Sequence, residues 1–414
     1  MSFTGLWESL LPIGRDQATG GYRRFSWTAA DLSCRDWFTA AAAQRGMDVC
    51  ADGNGNLWAW WDIVPQASAA STSPARHGAI VTGSHLDSVP DGGAFDGPLG
   101  VVSAFAAIDS LRERGFVPAR PVAVAAFTEE EGARFGVACL GSRLLTGAIT
   151  PEAARALCDA DGVSLERAMT AAGAEPGLLG PDDDLLDRIA AFVELHIEQG
   201  RQLAGLDAVI GIADGIWPHG RWRFDFSGRA DHAGTTALAD RRDPMLSFAT
   251  TVLAAREVAG RYHGLSTFGK VNVAPGGVNA IPSRVRAWLD ARAPGERDLG
   301  SMVAEIRAAA QRATRDNGVT VATECESLSP LVALDPGLRA RLSRVLAARM
   351  LNTPVLRTGA GHDAAVLAAR VPAAMLFVRN PSGVSHAPAE HAELADCQTG
   401  VAALAAALEE LASA

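Results

Sequence analysis

Four stretches of this chain place histidine or carboxylate side chains directly after apolar runs. Thr82-Gly83-Ser84-His85-Leu86-Asp87 follows the run Ala79–Thr82, and Ala94-Phe95-Asp96-Gly97 comes shortly after. Thr128-Glu129-Glu130-Glu131-Gly132 ends the apolar run Val122–Phe127. Glu194-Leu195-His196-Ile197-Glu198-Gln199-Gly200 closes a third, and the segment Asn380–Pro388, which holds His386, follows a fourth. In open α/β sheets ligands bind beyond the carboxyl ends of the strands, so these positions stand where a site is expected. A set of His, Asp and Glu ligands suits zinc or a similar divalent ion. Nitrogen ligands combined with a bridging oxygen suit two ions roughly 3.5–4 Å apart. Within the acidic triplet, one carboxylate can bind metal while its neighbour acts as general base beside the bound water. Asp87 is placed to orient a ligand or a base. The plainer readings are a Gly-rich polar turn for 82–87 and a solvated charge run for 129–131. Most of the nine histidines are expected to be surface or satisfied core residues.

Other chemistries find no support. There is no HExxH, no GxSxG nucleophile elbow, and no GxGxxG opening a helix after a strand. The net charge of −10 disfavours nucleic acid, which needs clustered Lys and Arg. The N-terminus lacks the basic and apolar regions of a signal peptide, and no apolar run reaches the roughly 18 residues of a membrane span. The six cysteines form no CxxC pair and are expected to be reduced and mostly buried. The expectation is a cytoplasmic protein with neither nucleic acid nor membrane as partner.

Stepping outward to the elements, 414 residues with 48% apolar content predict two domains. The spacing predicts helices over Thr28–Arg45 and Leu99–Arg114 and strands over Asn56–Trp61, Ala79–Thr82, Val122–Phe127 and Ile189–Ile197. Gln66–Arg76 and Ala174–Asp184 read as loops. This alternation predicts a parallel sheet covered on both faces. The pattern then changes. Strands over Arg221–Arg229, Phe268–Pro275, Val285–Ala293 and Thr320–Glu326 alternate with helices over Pro244–Gly260 and Leu299–Asn317, in the β-α-β-β-α-β order of a ferredoxin-like unit. The α/β character returns with a helix over Arg339–Met350, a strand over Ala373–Phe377 and an amphipathic helix over Thr399–Ser413. The fold class expected is α/β, a catalytic domain with a mixed sheet flanked by helices. An α+β unit at 213–327 interrupts it, leaving catalytic parts at 1–212 and 328–414.

Taken together, these motifs resemble the M20 metallopeptidase superfamily. They are most similar to its amidase branch of N-carbamoyl-L-amino-acid hydrolases, β-ureidopropionases and allantoate amidohydrolases. The resemblance runs from about Trp7 to the C-terminal helix. It implies that His85, Asp96 and His196 bind one metal, with Asp96 bridging to a second held by Glu131 and His386. Glu130 is implied as general base and Asp87 as the residue holding the site's geometry. The peptidase branch usually has a carboxylate where His196 stands. In the inserted unit, Asp231-His232-Ala233-Gly234-Thr235-Thr236 resembles a motif whose histidine stabilises the oxyanion. Asn279 and Arg292 match the substrate-carboxylate site, and Gln199 matches a residue contacting the carbamoyl end. Gly361-His362-Asp363 matches a further motif, for which a structural role is expected. The resemblance also implies two divalent ions per subunit (Zn, Mn, Co or Ni), a small ureido substrate, and a homodimer formed through the inserted lid. Ala237-Leu238 and the segment 216–222 depart from the family pattern, which bears on side-chain specificity rather than on the reaction. The implied activity is hydrolysis of N-carbamoyl-L-amino acids. Allantoate hydrolysis, an aminoacylase or dipeptidase activity, and a metal-free binding protein are the competing readings.

Overall fold

The computed structural model describes residues 2–62, 76–315 and 317–413. The chain divides into two compact units, Met1–Gly215 with Ala333–Ala414, and Ile216–Val332.

The larger unit is built on a mixed sheet, nine-stranded among the described residues. Its centre is parallel. Ala79–His85 lies between Val122–Phe127 and Ile189–Ile197, and Ile189–Ile197 pairs in turn with Ala373–Val378. These strands are buried almost throughout, because helices cover both faces, and they therefore read as apolar runs that turn polar, where they do, only toward their carboxyl ends. The flanks are antiparallel, so the sheet is mixed, as the expected fold class has it, and only the reading of the strand–helix alternation as wholly parallel is corrected. Asp48–Ala51, Leu57–Trp61 and Val122–Phe127 run alternately on one side, and Ile210–Ile216 opposes Ala373–Val378 on the other. A short Gly-Asn-Gly turn joins the first two, and so short a connection permits only an antiparallel pair.

The helix Pro98–Glu113 opens with Pro98 in its first turn, where a missing N–H costs nothing. It packs beneath the sheet and buries Phe105 edge-on to Phe38. The C-terminal helix begins earlier than the sequence reading, at Leu394, and is not amphipathic. Twelve of its 19 residues are buried, since alanine and leucine occupy nearly every face. The segment Ala174–Asp184 is not wholly loop, for it contains a 3-10 turn at Pro176–Leu178 and the start of the helix Asp183–Leu186. Apart from Arg76, the Gln66–Arg76 loop falls outside the described residues. All six cysteines are free. Cys34, Cys139 and Cys397 are buried but Cys50, Cys158 and Cys325 are exposed, so only half match the expectation of burial. Among the described residues no helix is long and apolar enough to cross a membrane.

In the smaller unit four antiparallel strands lie in the order Thr320–Ser329, His219–Ser227, Arg284–Arg292, Leu265–Ala274. The helices Pro244–Arg261 and Glu296–Thr314 pack against them, giving the ferredoxin-like arrangement. Along Arg284–Arg292 every second residue is buried (Val285, Ala287, Leu289, Ala291), the period-2 pattern of a sheet with one face covered. A two-stranded ribbon, Asp231–His232 with Ala280–Ile281, leaves this sheet at the Ser227/Arg284 end.

Candidate metal centre

His85 and His196 stand at the carboxyl ends of the adjacent parallel strands Ala79–His85 and Ile189–Ile197. Gly83 pairs with Glu194, so the two histidines two residues further on share a face of the sheet. Their ring centroids are 5.9 Å apart and both side chains are fully buried. Nδ1 of His196 lies 2.9 Å from the Ile197 carbonyl, and Nδ1 of His85 lies 3.2 Å from the Asp87 carbonyl. A carbonyl can only accept, so in the neutral rings the protons sit on Nδ1 and both Nε2 lone pairs face inward, where a metal would take them.

Asp96 lies between them, just before the helix Pro98–Glu113. Its Oδ1 is 3.2 Å from His196 Nε2 and 3.7 Å from His85 Nε2, while its Oδ2 is 3.4 Å from His386 Nε2. His386 Nε2 is also 3.6 Å from Glu131 Oε2. Two groups of three candidate ligands therefore share one carboxylate: His85, Asp96 and His196, and Asp96, Glu131 and His386, the ligand atoms of each within 4.8 Å of one another. His85 Nε2, His196 Nε2 and Glu131 Oε1 are buried with no hydrogen-bond partner. Unpaired buried polar atoms are costly, and a pair of divalent ions, one in each group, would satisfy all three. The donor types, imidazole nitrogen with carboxylate oxygen, fit zinc, manganese, cobalt or nickel. A third trio, Glu194, His196 and His362, also lies within ligand range. Its His196 Nε2 is already directed at Asp96.

The three adjacent acids take three different roles. Glu129 adopts φ 56 and turns away, its Oε1 accepting the amides of Arg134 and Phe135 at 2.9 and 2.7 Å. Glu130 and Glu131 face the centre, and their backbone amides are both held by the buried Asp87 carboxylate, at 3.2 and 3.1 Å. Glu130 Oε2 comes within 3.7 Å of His85 Nε2, and its Oε1 accepts the Cys139 thiol at 3.3 Å. Burial pushes the Glu130 carboxyl well above its usual range, against the opposing pull of His85. Burial, with Asp96 adding to it, raises Glu131 to about 7. Burial works against ionisation of Asp96, yet hydrogen bonds from His196, His386 and His85 hold it well below the ordinary value. The Asp96 hydrogen bond is the main cause that lifts His386 to about 9.

Gln199 donates its amide to Asp96 Oδ2 at 2.7 Å and sits 3.2 Å from His386 Nε2, at the mouth of the site. His362 is buried edge-on to His196, with centroids 4.5 Å apart, and burial followed by His196 drives its pKa well down. Glu390 and Ser385, which the sequence reading missed, also reach the centre. Glu390 Oε1 accepts the amides of Phe95 and Asp96, both at 2.9 Å. The only sequence signal was an acid four residues after His386.

His232 and Asn279 lie together on the ribbon of the smaller unit, where the Ala233 amide donates to the Asn279 carbonyl. Both are exposed. His232 Nδ1 accepts the amides of Gly234 and Thr235 at 3.0 and 3.1 Å, which leaves the proton of the neutral ring on Nε2, free to donate outward. Arg292 is elsewhere, at the far end of Arg284–Arg292 and paired side-on with Asp290 at 2.8 and 3.2 Å. Eight residues of strand, ~26 Å at 3.3 Å each, separate it from the end where the ribbon leaves.

The model of peptidase family M20/M25/M40 matches residues 81–410. The chain is 37% identical to an N-carbamoyl-L-amino acid amidohydrolase of Geobacillus stearothermophilus, over 96% of each chain. It is 32% identical to the allantoate amidohydrolase of Escherichia coli K12, over 98% of this chain and 97% of that one. Among solved structures, a hydantoinase/carbamoylase family amidase from Burkholderia ambifaria superposes with a TM-score of 0.84 at 32% identity, covering 100% of this chain and 98% of the other.

Proposed function

The chain belongs to peptidase family M20/M25/M40, in its amidohydrolase branch, and from that premise we propose that it hydrolyses the carbamoyl C–N bond of N-carbamoyl-L-amino acids. The observation that carries this reading is the Asp96 carboxylate, one oxygen facing His85 and His196 and the other facing His386. With histidine rather than a carboxylate at position 196, it disfavours the aminoacylase and dipeptidase readings.

His85, Asp96 and His196 would hold one divalent ion, and Asp96, Glu131 and His386 a second. Bound there, such ions supply Lewis-acid polarisation of the carbamoyl carbonyl and acidify an attacking water toward neutral pH. Glu130, fixed through Asp87 and Cys139, takes the proton of that water. As the bond to the amino-acid nitrogen breaks, it returns the proton to the leaving amine. The carbamate left over decomposes to ammonia and carbon dioxide. Gln199 orients the carbamoyl end, His232 Nε2–H donates to the developing oxyanion, and Asn279 with the Arg292 fork takes the substrate carboxylate.

The distance between the ribbon and Arg292 is too great for one small substrate to touch both within a single smaller unit. This supports a homodimer in which His232 and Asn279 of one chain complete a site whose Arg292 comes from the other. The smaller unit offers a surface for it. The outer edge of Leu265–Ala274 has no partner strand among the described residues, and Val271, Val273, Leu246 and Leu253 are exposed there and on the neighbouring helix.

A second reading, allantoate hydrolysis, uses the same groups and is supported by the likeness to the Escherichia coli enzyme. The deciding test is ammonia release by metal-reconstituted protein from N-carbamoyl-L-amino acids, β-ureidopropionate and allantoate. Turnover of a carbamoyl amino acid is expected. Turnover of allantoate alone would assign the second reading, and no turnover of any ureido compound would overturn both.

A further inference from the structure

The two candidate ion sites are not built alike. His85 and His196 grow from central strands, are fully buried, and are tethered through Nδ1 to backbone carbonyls. His386 sits eight residues beyond the strand Ala373–Val378, with its side chain 50% exposed. Its φ of 57 lies in the left-handed region that side chains rarely adopt. A ligand so placed needs something else to hold it.

Glu390 is the group in position to do so. It is buried, and one carboxylate oxygen takes the amides of Phe95 and Asp96. The other is 3.4 Å from Ser385 Oγ, itself 3.3 Å from Asp96 Oδ2 and from the Gln199 amide nitrogen. A single carboxylate thus ties the loop carrying Asp96 to the loop carrying His386, 294 residues along the chain. The first loop closes tightly around it. A Cβ on Gly93 would come within 2.4 Å of both Glu390 Cβ and Oε1. A carboxylate is costly to bury, and here its oxygens are spent on holding backbone and a neighbouring serine rather than on facing the ions.

We infer that Glu390 is the positioning residue for the Asp96/Glu131/His386 group, and that this group holds its ion more weakly than the His85/Asp96/His196 group and relies on Glu390 for much of its affinity. The inference rests on the two-ion reading above. It assigns Glu390 no contact with substrate. Partners that orient metal ligands are typically worth roughly 10–100-fold in affinity. Asp96 serves both groups, so the tighter ion feels part of that effect, and the larger share should fall on the ion held by His386.

The test is zinc titration of the metal-free full-length protein by calorimetry, with elemental analysis after desalting. The wild type is expected to bind two equivalents in two resolved steps. Glu390→Ala should weaken the His386 step by roughly 10–100-fold and the tighter step distinctly less, so that one equivalent survives desalting. Gly93→Ala displaces the same carboxylate without removing it and should give the same pattern, which keeps the inference testable if Glu390→Ala does not fold. Glu390→Gln can still accept both amides and donate to Ser385, and should recover most of the second step. Equal weakening of both steps in a folded variant, or no change in either, overturns the inference. A wild type that binds fewer than two ions would instead overturn the two-ion reading itself.

Discussion

Glu129, Glu130 and Glu131 are chemically identical and adjacent, and their environments separate them. Glu129 caps the backbone at 134–135, whereas its neighbours face the ligand histidines. Glu130→Gln keeps the shape and the thiol contact but cannot carry a proton. It should lower kcat by roughly 10²–10⁴-fold while two ions remain bound, as steady-state kinetics and metal analysis would show. A variant with near-normal kcat would move the base elsewhere. A second prediction follows from protonation. In the metal-free protein the Asp96 hydrogen bond lifts His386 to about 9 and burial lifts Glu131 to about 7, so at pH 7 the first is protonated and the second partly so. An ion needs both unprotonated. Binding of the ion held by Asp96, Glu131 and His386 at pH 7 should therefore release about one to two protons, and its affinity should rise with pH between 6 and 9. Calorimetric titrations in buffers of different ionisation enthalpy measure this directly, and a heat independent of buffer would contradict it. The sequence showed that acids end this strand. Which acid faces inward depended on the positive φ of Glu129 and on the Glu130 and Glu131 amides that donate to the Asp87 carboxylate, neither of which leaves a mark in residue type.

The central strands position the chemistry, and small residues let them approach. Gly83 has φ +145, and a Cβ there would lie 1.9 Å from the Ala125 carbonyl oxygen on the neighbouring strand. Gly83→Ala should destabilise the protein by about 1–3 kcal/mol or more and displace His85, two residues on. Urea unfolding together with zinc titration would detect both effects. A variant as stable as the wild type, with unchanged zinc binding, would show that the strand yields freely. These strands were legible because burial on both faces gives a largely apolar run, and Val122–Phe127 and Ile189–Ile197 match their predicted limits. The strand Asp48–Ala51 was not foreseen, since it is a largely exposed edge strand of mixed polarity. The C-terminal helix misled for the opposite reason, because alanine on every face suits burial and surface alike.

At the scale of the molecule, the opposite placement of the His232/Asn279 ribbon and Arg292 makes a prediction about assembly. His232→Ala and Arg292→Ala should each be nearly inactive. Mixed after dissociation and reassociation, they should regain activity, because a heterodimer contains one site with an intact His232 and an intact Arg292. Recovery toward about a quarter of wild-type activity is the statistical limit for random pairing of two-fold dimers. No recovery in a mixture shown to contain heterodimers would place all these groups in one chain.

By itself the sequence determined which side chains could bind metal and roughly where the strands end. Ligand chemistry demands particular residue types, and buried strands demand apolar runs, so both are written in the order of residues. The partners that hold those ligands in place were decided only by the tertiary structure. Asp87 holds the Glu130 and Glu131 amides, and Glu390 holds the amides of Phe95 and Asp96 from nearly 300 residues away. Every residue but proline offers a backbone N–H, so a carboxylate that grips one carries no signature until the chain has folded around it.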